Sequence, residues 1–92
     1  MASMVGGDLA TLASLRRELA DQADEAIRLR DAIQASVDNA VWKGANADKF
    51  RTSWDEFKSA FARLQDELSQ ASDGVRKQHN MLADATGEAV HI

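Results

Sequence analysis

Ninety-two residues make one domain at most and bury only a modest core, so a chain of this size is expected to associate with a partner. With no Pro and five Gly it lacks the turn chemistry that joins strands, and its 45% apolar fraction is mostly Ala and Leu beside 28% charge, which specifies an all-α chain of long amphipathic helices. The absence of Cys removes disulfides, thiol nucleophiles and thiolate metal sites, and a net charge of -4 with both signs interspersed argues against nucleic-acid binding.

In chain order, Asp8 follows Gly6-Gly7 and is an N-cap candidate for a first helix spanning about residues 8–40. Leu12, Leu19, Ala26, Ile33 and Ala40 recur every seven residues. Leu15 and Leu29 form a second row that Gln22 and Ser36 interrupt. Ala13, Ala20, Ala23, Ile27 and Val37 widen the apolar arc beyond a two-position stripe, as expected of a helix with more than one neighbour. Asp24 and Arg28 have the spacing of an exposed i,i+4 ion pair.

The central break is Trp42-Lys43-Gly44, read as a turn over 42–44. Gly44 supplies backbone freedom there, and Trp42 either caps the end of the hairpin or faces a partner. A second helix follows over about 46–82. In it Ala47, Phe50, Trp54, Phe57, Phe61, Leu64, Leu68, Ala71 and Val75 alternate steps of three and four, the seam of coiled-coil-type packing. Phe50, Trp54, Phe57, Phe61, Leu64 and Leu68 are accordingly expected to form the core of the hairpin or of a dimer. The seam continues weakly through Gln78, Leu82, Ala85 and Ala89, with fraying after Gly74 and disruption at Gly87, which leaves residues 83–92 as a flexible tail. Two antiparallel helices of roughly 45–55 Å leave apolar surface facing water, and pairing two hairpins into a four-helix bundle covers it.

A central Trp-x-Gly between two helices, the Ala47-x-x-Phe50-x-x-x-Trp54 run, a length near a hundred and the lack of Cys and Pro together resemble the WXG family of small early-secretory-antigen-like proteins of type VII secretion systems. The resemblance covers about residues 8–82. It implies a helical hairpin exported folded, without a cleaved signal peptide, as a dimer with itself or with a sister protein. It further implies recognition of a C-terminal tail by a membrane-bound FtsK-like ATPase. That reading fits an N-terminus without the regions of a signal peptide and a chain without an apolar run of ~20 residues. Family export motifs have the form Tyr-x-x-x-Asp/Glu, whereas this chain has no Tyr; Asn80-x-x-x-Asp84 matches by spacing, and the seam puts Leu82 where the aromatic is often found. Asn80, Leu82, Asp84, Val90 and Ile92 are therefore the candidate residues for recognition by a partner or the ATPase.

Enzymatic chemistry has no anchor in the sequence: there is no phosphate loop, nucleophile motif or ligand cluster, and neither a cofactor nor a small-molecule substrate is expected. Glu88-x-x-His91 has half the spacing of a di-metal site but lies at the chain end, where a preorganised cage is not expected, so no metal is assigned. His79 has no neighbouring nucleophile to activate and is expected to be solvated on its helix. The alternative function is a non-secreted helical hairpin that serves only for oligomerisation. In that case the Trp-x-Gly is incidental.

Overall fold

The computed structural model describes residues 7–88 and 90–92; of the positions singled out in the sequence, Gly6 and Ala89 lie outside them. Two helices, α1 (Leu9–Asn39) and α2 (Ala45–Ala85), run antiparallel as a hairpin of 64 × 19 × 16 Å. Asp8 caps α1 as expected: its carboxylate accepts from the amides of Ala10 at 2.8 Å and Thr11 at 3.4 Å, satisfying donors that the first turn leaves unpaired. At 31 residues α1 is the shorter helix. The 41 residues of α2 run to about 62 Å at 1.5 Å per residue, longer than the sequence suggests.

That extra length arises at the C-terminal end. α2 passes through Gly74 without a break and continues to Ala85, beyond the expected end near Leu82. Gly87, at φ 78°, then ends the helix. The Glu88 amide donates to the Ala83 carbonyl at 2.8 Å and the Gly87 amide to that of Asp84 at 3.3 Å, the paired bonds of a Schellman stop. Leu82 therefore belongs to the helix, beside Gly7: a Cβ built on that glycine would come within 3.8 Å of a Leu82 methyl.

The seam expected along α2 divides into two rows with different roles. Ala47, Trp54, Phe61, Leu68 and Val75 are buried or half-buried against α1, and so are the residues four positions on, Arg51, Lys58, Gln65, Ser72 and His79. α1 answers with Leu12, Leu19, Ala26 and Ile33 and, four positions on, Arg16, Ala23, Arg30 and Val37. The other half of the expected seam, Phe50, Phe57, Leu64 and Ala71, is exposed, and in α1 Leu15 and Leu29 are exposed too. Ala40, the last of the seven-residue row in α1, is also exposed, because the helix has ended and the chain there is extended. Among the described residues the buried apolar side chains are Ala23, Ala26, Ala47, Trp54 and Ala83, four of them alanine. Small side chains bring two helices to the near end of the usual 8–10 Å separation and bury little apolar area.

Two polar bonds fix the register between the helices. Trp54 Nε1 donates to Gln34 Oε1 at 2.9 Å, and the Ser72 hydroxyl donates to the Arg16 carbonyl at 2.8 Å. The two bonded positions lie 18 residues apart on both helices, five turns at 3.6 residues per turn, so they sit on one face of each helix and forbid a slip. On the surface, Arg28 pairs with Glu25 instead of with Asp24.

Candidate functional site

The connection between the helices is built by backbone geometry and one arginine. Gly44 has φ 116° and ψ 178°, a region open in practice only to glycine, and its carbonyl accepts from the Asp48 amide at 3.0 Å, the first hydrogen bond of α2. A Cβ added at Gly44 would touch nothing within 4 Å, so the requirement for glycine is purely conformational. The Arg51 guanidinium reaches back from α2 to the carbonyl of Trp42 in the connection at 2.9 Å and to that of Ala40, the C-cap of α1, at 3.5 Å. Sequence reading missed this role, because residues nine and eleven apart across a turn form no local pattern. Trp42 packs against Phe50 with ring centres 5.6 Å apart and planes tilted by 46°, yet is 45% exposed. It covers the end of the hairpin and also faces outward.

From that end an apolar stripe runs along one side of the molecule. Phe57 is 59% exposed, with its ring set edge-on to Phe61 at 5.5 Å and against Trp54 at 6.4 Å. Phe50 and Leu64 lie one heptad before and after it. Leu15 and Leu29 occupy the same offset in α1, three positions after the inward row, and in an antiparallel pair equal offsets fall on the same side. Between Phe50 and α1 lies an open depression of about 410 Å³ lined by Ala32, Ile33, Ser36, Val37 and Ala40. The opposite side is more polar, with grooves lined by Arg30, Asp31, Gln34, Asp38, Arg51, Asp55 and Lys58 beside Val37, Trp54 and Ala62. The hairpin is thus amphipathic as a unit. Gln22 and Ser36, which interrupt a row in the sequence, belong to the exposed side, where polar residues carry no burial cost in the single hairpin.

At the other end the residues expected in a recognition tail divide between the helix and a segment that returns to it. Asn80, Leu82 and Asp84 are in α2, and Val90 and Ile92 are beyond Gly87. The Ile92 amide donates to Asn80 Oδ1 at 2.9 Å, and Asn80 Nδ2 donates to the Ile92 carbonyl at 3.4 Å. His91 Nε2 lies 2.7 Å from Asp84 Oδ1. His79, expected in solvent, is 2% exposed, with Nδ1 at 3.0 Å from Asn80 Oδ1. Because the Ile92 amide is only a donor, the Asn80 atom facing both partners is the carbonyl oxygen, so His79 Nδ1 carries the hydrogen. His79 lies seven residues after Ser72 and four after Val75, on the face that the position of α1 makes the inward one. Val90 and Met81 remain exposed.

A family model described as proteins of 100 residues with WXG matches residues 3–86. The chain belongs to the WXG100 family. It is therefore a small protein associated with type VII secretion, from a family of secreted substrates whose members pair with one another. No curated protein and no solved structure gives a significant match. Among the described residues no three His, Cys, Asp or Glu side chains are grouped to hold a metal ion, and no helix is long and apolar enough to cross a membrane.

Proposed function

We propose that this WXG100 protein is a substrate of a type VII secretion system, exported folded as a homo- or heterodimer and recognised through its C-terminal segment by an FtsK-like secretion ATPase. The observation that carries the proposal is the one-sided apolar stripe of Leu15, Leu29, Phe50, Phe57 and Leu64 on a hairpin whose own core is mostly alanine. Exposed large side chains contribute about 1.5–3 kcal/mol each when buried, so a second hairpin laid against this side supplies the core that one hairpin lacks. The partner is a second copy or a sister protein of the family.

For recognition, Val90 and Ile92 offer apolar anchors, and Asn80, Leu82 and Asp84 offer the neighbouring helical surface. Ending the chain at Ala85 tests this directly, since it leaves both helices whole. The shortened chain is expected to keep its helical signal and its pairing while losing both ATPase binding and export. Unimpaired export of the shortened chain would refute the proposal.

A further inference from the structure

The C-terminal segment and the surface of α2 that it returns to are both assigned above to recognition, yet here they occupy each other. Asn80 spends its amide on the Ile92 backbone, taking the N–H at 2.9 Å and giving a hydrogen to the carbonyl at 3.4 Å. Asp84 spends a carboxylate oxygen on His91 at 2.7 Å. A two-point amide clamp of this kind needs a held amide plane, and the buried His79 ring provides it by donating from Nδ1 to the same Asn80 oxygen at 3.0 Å. The reversal that brings the segment back is set by Gly87, whose φ of 78° turns the chain where the helix stops.

We propose that residues 90–92 form an intramolecular latch on α2, which masks the Asn80 amide and must open before a protein partner can engage that surface or the segment. The proposal rests on the reading that this partner is the secretion ATPase. The contacts themselves dictate the device. A partner that accepts the segment as a peptide has to take over the Ile92 backbone groups that Asn80 now holds. The apparent affinity then scales with the open fraction, so a latch closed most of the time lowers it by the same factor.

Two substitutions open the latch without altering Asn80, Leu82, Asp84, Val90 or Ile92. His91→Ala removes the link to Asp84, and Gly87→Val disfavours the left-handed reversal. In the full-length chain, amide exchange at Ile92 reports the latch, and titration with the ATPase module of the secretion system reports its effect. The Ile92 amide is expected to be protected in the parent chain, less protected in His91→Ala and unprotected in Gly87→Val, and the variants should bind the module about 3- to 10-fold tighter with unchanged helical content. An unprotected Ile92 amide in the parent overturns the latch itself. Equal or weaker binding by the opened variants, with the amide protected in the parent, overturns the masking while leaving ATPase recognition in place. Absence of binding by parent and variants alike sinks the secretion reading, and the masking with it, whatever the amide shows.

Discussion

Gly44 separates backbone strain from steric clash, because its φ of 116° suits glycine alone while the space around it is empty. Gly44→Ala is therefore expected to cost about 1–3 kcal/mol with no van der Waals contact to blame. A denaturant melt checks this, and a cost near zero would mean that the turn adopts another conformation. The Gln34–Trp54 bond makes a different demand. Gln34→Leu leaves a part-buried indole N–H unpaired and should cost about 1–3 kcal/mol, whereas adding Trp54→Phe to it removes that unpaired donor. A double-mutant cycle with additive costs would show that the bond contributes nothing specific. At Asp73 the hydrogen bond from Arg76, followed by that from Lys77, holds the carboxyl below its ordinary 3.8. A depressed carboxylate adds stability above its unfolded-state value and loses it as pH falls through the folded one. The melts of Asp73→Asn and the parent should thus differ slightly at neutral pH and converge well below pH 3.8, the difference being small for a half-exposed group.

Each helix carries more apolar surface than one neighbour can cover, and the division of that surface decides what a substitution does. Leu68 faces α1 and Phe57 faces outward. Leu68→Glu buries an unpaired charge between the helices and should unfold the hairpin, while Phe57→Glu should leave the hairpin helical and abolish pairing. Circular dichroism together with sedimentation separates the two outcomes, and loss of helix in both would show that the hairpin does not fold without its partner. The steps of three and four made both helices legible in the sequence, and the N-cap at Asp8 and the need for glycine at position 44 could be read from local chemistry. Which half of the seam faces inward could not be read there. Phe50 and Trp54 look equivalent along α2, and only the position of α1, set by the short turn and by the Gln34 and Arg16 bonds, tells them apart. The end of α2 was misplaced for a related reason. The heptad pattern fades after Val75, but a helix stops where its carbonyls find other donors, and Gly87 supplies that stop.

As a whole the molecule is a rod with an apolar side, and the proposed pairing predicts that the chain forms dimers by itself or a complex once a sister protein is added. Choosing the measurement matters, because the shape itself misleads. The radius of gyration is 20.0 Å, where a compact chain of this length would have about 12 Å, and a globular protein reaches 20.0 Å only at roughly 330 residues. Friction follows extension more than mass, so a lone hairpin leaves a gel-filtration column early, among globular standards several times heavier. Elution position would report an oligomer even where none had formed, and the assembly state of this chain has to come from light scattering or sedimentation equilibrium, which weigh the particle instead of sizing it.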